Sequence, residues 1–404
     1  MYQIGFSDSI DKIPASTWNK LCNTDYPFIQ HAFLKAMEDS GSVTAKTGWQ
    51  PMHMTLVRKG ETVGVMPLYI KNHSYGEYVF DWSWADAWAR QGLDYYPKLV
   101  TAIPYTPAQG PRMGTSLPDD EALSLFYAGI RQLAEQMGAS SWHGLFLNDA
   151  LKAAATTLLS QPQCAARMGL QYHWFNRDYQ DFDHYLSHFN SRKRKNLRKE
   201  RQKVTQQGIV HRWVKGSEVS KEELEHFWIF YQMTHLKRGR RGYLTRSFFE
   251  QLTQSLGDQL LFCFACLQDT MVAGSLFFKD SQTLYGRYWG STKEHDSLHF
   301  ETCYYQGIEY AIKEGLQCFD PGAQGEHKIA RGFEPIPTWS MHHIEDLRFA
   351  QAVKSFVEEE ATQLKRFQLE LREGLPFRQT AEMVTTNLDS SSNLYCDSTK
   401  NVST

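Results

Sequence analysis

Between Leu284 and Phe333 the chain reads LYGRYWGSTKEHDSLHFETCYYQGIEYAIKEGLQCFDPGAQGEHKIARGF. Thr283–Gly290 predicts a strand, STKEHDS a polar turn, Leu298–Glu314 a helix and Leu316–Phe319 a second strand. The glycine-rich loop GAQGEHK then follows the strand end at Asp320. In open α/β sheets, ligand sites gather beyond the carboxyl ends of strands, which is where this loop falls. The same stretch collects His295, His299, Glu301, Glu326, His327, Lys328 and Arg331. This frame limits the fold to an α/β class with its chemistry at one end of the strand pair.

The rest of the chain repeats the frame. Residues 1–48 predict mainly helix, with apolar spacings over Ala15–Leu21 and Phe28–Ser40. A hairpin follows, His53–Lys59 and Thr62–Lys71 across Gly60-Glu61. Tyr75–Trp88, dense in aromatic and acidic residues, reads as a pocket wall or as packing against a neighbouring domain. Leu99–Thr106 predicts a strand, AQGPRMG a loop, Leu123–Met137 a helix and Ser141–Leu147 a strand. Ala150–Cys164 predicts a helix and Gly169–Phe175 an extended stretch. The pattern then restarts: helix Phe182–Thr205, strand Ile209–Val214, then helix Ser220–Leu236 opened by a Ser220/Glu223 capping box. Helix Arg246–Leu256 and the hairpin Gln259–Leu267/Met271–Lys279 lead into the opening stretch. A long helix over Val353–Arg372 closes the folded part. The expected organisation is two α/β domains, 1–178 and 179–375, with mixed central sheets flanked by helices. A polar tail over 376–404 is expected to be disordered.

Of 404 residues, 42% are hydrophobic and 14% aromatic, which suits a packed globular chain over a disordered one. The net charge of -2 excludes polyanion binding by bulk charge. No run of 18 apolar residues exists to cross a membrane, and the N-terminus MYQIGFSDSIDKIP lacks the basic and apolar regions of a signal peptide. The expectation is a cytoplasmic protein. Seven cysteines, an odd number at irregular spacing, argue against a disulfide framework. Cys263 and Cys266 form a CxxC inside LLFCFACL, read as buried strand cysteines over a metal or redox pair. His299, His327, Glu301 and Glu326 lack metal-ligand spacing, so no metal is expected.

Several stretches resemble motifs of the FemAB-like family of peptidoglycan biosynthesis or recognition proteins: GEYVFDWSWADAW (76–88), YTPAQGPRMG (105–114), SRKRKNLRKER (191–201), LHFETCYYQGIEYAI (298–312) and GAQGEHKIARGFEP (322–335). The order of hairpin, strand, helix and strand with helices in front is similar to the GNAT acyltransferase fold. The resemblance implies two tandem GNAT-like (acyl-CoA N-acyltransferase) domains covering about 1–350. It implies transfer of an acyl or aminoacyl group to an amine, with acyl-CoA or aminoacyl-tRNA as donor. A small molecule or a muropeptide would accept. The alternative is a non-catalytic protein on the same fold that recognises peptidoglycan precursors or glycans.

In such a fold the donor lies where Thr283–Gly290 and Leu316–Phe319 splay apart. The family's glycine phosphate loop is missing there: STKEHDSLHF has no glycine and places Glu294 and Asp296 where a diphosphate would sit. AQGPRMG is the corresponding turn of the first half. Gln109, Gly110 and Arg112 could serve a phosphate there, or form a plain glycine turn.

Amide formation needs a base, oxyanion donors and a proton for the leaving group. Glu301 or His327 is the candidate base, and Tyr305, four residues after Glu301 on the same helix face, an acid or positioner. His299 is a third candidate; packing of a helix-start histidine is the plainer reading. Gln324, Gly325, Glu326, Lys328 and Arg331 are candidate substrate contacts, with a solvated polar loop as the alternative. Arg192–Lys203 holds eight Lys/Arg and one Glu, a possible tRNA contact or a solvated helix face. HLKRGRRGY at 235–243 is a second basic cluster.

Overall fold

The computed structural model describes residues 1–323 and 325–378. In chain order the strands are β1 (Tyr2–Ser7), β2 (Trp49–Pro51), β3 (His53–Arg58), β4 (Glu61–Met66), β5 (Tyr69–Lys71), β6 (Lys98–Thr101), β7 (Gly114–Thr115) and β8 (Ser141–Leu147). They continue as β9 (Cys164–Phe175), β10 (Ile209–Lys215), β11 (Leu260–Leu267), β12 (Thr270–Lys279), β13 (Thr283–Ser291), β14 (Cys318–Asp320) and β15 (Glu334–Ile344). The helices used below are α1 (Ala15–Cys22), α2 (His31–Asp39), α3 (Trp82–Arg90), α4 (Asp119–Met137), α5 (Asp149–Ala154), α6 (Thr156–Leu159), α7 (Phe182–Ser187), α8 (Ser191–Gln206), α9 (Lys221–Leu236) and α10 (Arg246–Ser255). After them come α11 (Leu298–Phe300), a π-helical turn (Glu301–Tyr305), α12 (Gln306–Lys313) and α13 (Leu347–Glu373).

The chain divides into two compact units. Of the described residues, one holds 1–170, 243–251 and 337–367, the other 171–242, 252–336 and 368–378.

In the first unit β1, β3, β4 and β7 form an antiparallel sheet. A second set pairs in the order β15-β8-β6-β5-β2, with β6 and β8 parallel. Phe126, Ile130 and Leu133 of α4 pack with Met54, Leu56 and Leu99 in the larger core. The expectation of mainly helix over 1–48 is corrected at its start: Tyr2–Ser7 pairs residue for residue with β3, because strand pairing satisfies a backbone too short to form a packed helix there. The second hairpin strand breaks at Pro67, which has no N–H for the ladder. β4 and β5 therefore join different sheets. The helix expected over Ala150–Cys164 is instead two short pieces, α5 and α6.

Within the aromatic stretch 75–88, Trp84 and Trp88 pack with Ala350, Val353 and Val357 of α13 in the same unit, and Trp88 stacks on Phe349 at 3.7 Å between ring centroids. Glu77 and Asp81 are buried on the Lys98 ammonium, with Glu77 at 2.8 Å. Burial, only partly offset by Lys98, lifts the Glu77 carboxyl to about 7.

In the second unit the strand order is β10-β11-β12-β13-β14-β9, antiparallel except for β13 and β14. The core gathers Trp174, Tyr185, Phe189, Phe277, Ile308 and Phe319. The long basic helix expected over Phe182–Thr205 breaks into α7 and α8, because Asn190 caps α8 by accepting from the Lys193 N–H at 3.0 Å. The Ser220/Glu223 capping box forms as expected. Pro376 and Phe377 are held in place: the Pro376 carbonyl accepts from Asn190 N–H at 2.8 Å and the Phe377 ring lies 5.2 Å from Phe189. The rest of the expected polar tail, 379–404, lies outside the described residues.

Helix α9 crosses directly over β13. A Cβ on Gly290 would sit 1.8 Å from the Phe230 carbonyl oxygen. Gly290→Ala is therefore expected to destabilise the fold by about 1–3 kcal/mol in urea denaturation. A loss under ~0.5 kcal/mol, the range of a neutral surface change, would contradict this close approach.

Candidate active site

Strands β13 and β14 pair in parallel at only three positions: Thr283 with Cys318, Leu284 with Phe319 and Tyr285 with Asp320. β14 then ends while β13 runs on to Ser291. On the β14 side, the backbone of β13 beyond Tyr285 has no strand partner among the described residues. On its other side the β12–β13 register jumps between Leu276 and Phe277, which face Tyr288 and Gly286. Arg287 is the extra residue of this bulge, a device that re-aims a side chain. It turns onto Asp320, with Nη2 2.5 Å from Oδ2 and Nη1 3.2 Å from Oδ1. Both side chains are almost wholly buried. The Gly322 N–H donates to the same carboxylate at 2.8 Å, and His173 stands 3.6 Å away. Burial opposes the charge on Asp320, but Arg287 and His173 outweigh it and hold the carboxyl at about 2.

The helix after the turn carries the π-helical segment. A π turn holds more residues than an α turn, and residues four apart still fall on one side of it. Glu301 is buried and turns to α8. Its oxygens accept from Arg201 Nη2 and Nε at 3.0 and 3.1 Å and from Gln306 at 2.9 Å. The Tyr305 hydroxyl donates to Glu200 and accepts from Arg331 Nε at 3.0 Å. Arg331 also reaches Glu200 at 3.0 Å and the His327 carbonyl at 2.8 Å. Glu301 and Tyr305 thus share one face, as their spacing gives, but that face is buried against α8, with Arg331 beside Tyr305.

The residue that does meet His327 is Tyr304, which spacing did not single out. Its hydroxyl is 3.0 Å from His327 Nε2. Burial raises the Tyr304 hydroxyl, and burial with Arg331 and Lys328 nearby lowers the His327 imidazole. His299 completes the group, its ring 5.5 Å from Tyr304 and 5.4 Å from Trp289 of β13. Burial, reinforced by His327, Lys328, Arg331 and Arg238, lowers His299 to about 4.

Within the glycine loop, Lys328 is buried and clamps the loop by donating to the Gly322 carbonyl at 2.6 Å. Burial brings it to about 8 despite Asp320 nearby. Gly325 takes φ 118°, and a Cβ there would strike the His327 ring at 2.5 Å. Glu326 is exposed, and Gln324 lies outside the described residues.

Gln109, Gly110 and Arg112 are not brought to this group. They belong to the first unit, where β6 and β8 pair in parallel from Leu99–Trp142 to Thr101–Gly144. There the chain fills the space beyond the pair. Gly110 bridges Leu147, and the Tyr26 ring covers it so closely that a Cβ would sit 2.4 Å away. Arg112 is fully buried and donates to the carbonyls of Leu145 at 2.8 Å, Pro111 at 2.9 Å and Ala108. Gln109 reaches the Leu147 carbonyl at 3.5 Å. The phosphate expectation is therefore corrected: these donors satisfy backbone carbonyls, as a buried guanidinium must have its N–H groups met.

On α8, Leu197 and Val204 face inward. Arg198 pairs with Asp183 and Lys203 with Asp296. Arg192, Lys195 and Lys199 are exposed. Among the described residues no cluster of metal-ligating side chains occurs, the six cysteines are free, and no helix is long and apolar enough to cross a membrane.

A family model described as FemAB-like, peptidoglycan biosynthesis/recognition, matches residues 9–379. No curated protein matches the sequence. Among solved structures, the C-terminal domain of a putative lysylphosphatidylglycerol synthetase from Agrobacterium fabrum aligns at 10% identity and a TM-score of 0.52, over 84% of this chain and 94% of that one. FemX aligns at 13% identity and 0.47, over 78% and 93%. A tandem GNAT protein from the clavulanic acid biosynthesis pathway aligns at 10% and 0.43, over 85% and 98%. The fold is two tandem GNAT-like units, each with a short parallel strand pair, filled in the first and open in the second.

The Arg287–Asp320 pair yields a pH dependence. Asp320 is depressed in the fold below the ~3.9 of an unfolded chain. Its contribution, on the order of 2 kcal/mol, is present above about pH 4 and is lost as pH falls toward 2. Urea denaturation between these values should show this loss in the wild type, and Asp320→Asn should be less stable at neutral pH with a flatter acid limb. Identical acid limbs would contradict it.

Proposed function

The chain belongs to the FemAB-like family of peptidoglycan biosynthesis/recognition proteins, and from that premise we propose that it is an acyl or aminoacyl transferase working on an amine. The reacting carbonyl lies along the open edge of β13 beyond Tyr285. The carrying observation is that this edge has no strand partner among the described residues and is bordered by Trp289, His299, Tyr304 and His327. N–H groups of β13 along this edge donate to the developing oxyanion, as fixed donors aimed at developing charge do. The amine nitrogen forms the new C–N bond and gives up its proton to the Tyr304–His327 pair. The bond from the carbonyl carbon to the donor's oxygen or sulfur breaks, and that atom takes a proton back. Lys328, Arg287 and Asp320 hold the loop and strand ends in place.

The turn before α11 favours aminoacyl-tRNA over acyl-CoA as donor. Glu294 and Asp296 are exposed there, and Ser297 opens the helix at φ 66°. Carboxylates repel a diphosphate at that helix start. A muropeptide precursor is the acceptor this family reading suggests. The same turn supports a second reading, in which the fold binds a peptidoglycan precursor without transfer.

Purified protein incubated with acyl-CoAs or aminoacyl-tRNAs and a nucleotide-linked muropeptide, followed by mass spectrometry, separates the two readings. A mass increase of one acyl or aminoacyl group supports transfer; binding of the muropeptide without any product supports recognition. Tyr304→Phe and His327→Gln should each lower turnover about 10²–10⁴-fold, and the double variant little further, because they act as one pair. Turnover unchanged in both single variants would remove the pair from the mechanism.

A further inference from the structure

Between Ser74 and Trp82 the first unit buries its charges and exposes its rings. Glu77 and Asp81 are 4% and 2% exposed, while Tyr75, Phe80 and Trp82 are 57%, 55% and 38% exposed. Desolvation alone favours the reverse, because burying a carboxylate costs free energy and burying a ring gains it. Buried charges and exposed apolar patches are the departures from that rule that carry information.

The buried charges hold the rings in place. The Lys98 ammonium donates to Ser74 Oγ at 2.8 Å, to Glu77 at 2.8 Å and to Asp81. Lys71 donates to the Tyr75 carbonyl at 3.1 Å. Arg167, forked onto Glu360, donates to the Phe80 carbonyl at 2.7 Å. Gly76 turns the chain at φ 83°, where a Cβ would strike the Tyr105 ring at 2.6 Å. The Tyr75 and Trp82 rings meet at 5.0 Å between centroids and 60° between planes. A surface anchored in this way is set before a partner arrives, so binding costs little ordering.

The surroundings select the partner. Residues 72–88 contain no Lys or Arg, and Asp86 is their one exposed carboxylate. A nucleic acid or an anionic lipid surface is held by cations, which this segment lacks. The exposed neighbours in the chain, Asn72 and Ser83, are neutral hydrogen-bonding groups. Amphipathic rings beside a neutral amide and hydroxyl suit a ligand that is apolar on its faces and hydroxylated at its edges. A pyranose with equatorial substituents has this form, because its axial C–H bonds make flat apolar faces.

We propose that Tyr75 and Trp82 form a stacking platform for a neutral oligosaccharide of such pyranose units. The platform belongs to the first unit and does not depend on the transferase reading of the β13 edge.

The test is binding, independent of turnover. N-acetylchitotetraose and cellotetraose are titrated into the full-length protein by calorimetry, with Y75A/W82A, Y75F/W82F and Y304F/H327Q as variants. The expected result is binding of at least one sugar to wild type, weakened about 10-fold or more in Y75A/W82A. Y75F/W82F keeps two ring faces and should retain most of the affinity, and Y304F/H327Q should bind as wild type does. Both rings are exposed, so the thermal midpoint of Y75A/W82A should stay near that of wild type. No binding of either sugar, equal affinity in Y75A/W82A, or a loss confined to Y304F/H327Q would each overturn the assignment. Adsorption to phosphatidylcholine vesicles that requires Tyr75 and Trp82, without sugar binding, would overturn it in favour of a membrane surface. Sugar binding with these features but no transfer product would leave the platform standing and remove only the transferase reading.

Discussion

The second unit depends on the ion pair of Arg287 with Asp320. Below it, β13 and β14 are a parallel pair over an aromatic core; above it, the strands part. A buried ion pair is weak evidence for stability in general, because desolvation offsets attraction. Here its position is informative. The bulge that releases Arg287 from the β12 ladder also marks where β13 loses its partner on the other side. Asp320 takes two further neighbours, the Gly322 N–H and His173, so the start of the glycine loop is fixed at the same point. Lys328 then closes the loop onto Gly322. His327 beside it is held in reach of Tyr304 by two residues that do not touch Tyr304's hydroxyl.

The first unit shows what the same layout does without an opening. Its parallel pair is also short, yet Arg112 spends its donors on the carbonyls of Leu145, Pro111 and Ala108, and Tyr26 seals Gly110. The charge that could have met a phosphate meets backbone instead. The acidic residues of the aromatic stretch go the same way: Glu77 and Asp81 turn inward to Lys98 and fix α3 beneath α13. Two repeats of one layout therefore differ at their parallel strand pairs through a few buried polar contacts.

The order of elements was legible because it rests on periodicity: the capping box at Ser220, the strand Ser141–Leu147 and the hairpin into β12 all follow local rules. The fold class and the position of the glycine loop followed from the same signals. The side-chain roles were not legible, for two physical reasons. The face that Glu301 and Tyr305 share is taken up by α8, a tertiary contact, so Tyr304 and not Tyr305 meets His327. Burial also decides whether an arginine is a ligand or a strut, and no pattern in AQGPRMG says that Tyr26, over eighty residues earlier in the chain, will cover Gly110. Tyr2–Ser7 was missed as a strand because pairing with β3 is a tertiary event that overrides a weak local preference.

Helix α8 illustrates how a charged run can be both surface and core. Glu200 and Arg201 are consecutive, so they point about 100° apart on the helix. Both nonetheless reach the neighbouring helix, where Glu301 and Tyr305, four residues apart, present one side to α8: Tyr305 meets Glu200 and Glu301 meets Arg201. These crossed contacts fix α8 while Tyr304 faces His327. The cost of the irregular turn, a weakened hydrogen-bond ladder, is offset by the contacts it makes possible, which is the expected reason for a π turn to persist beside a site.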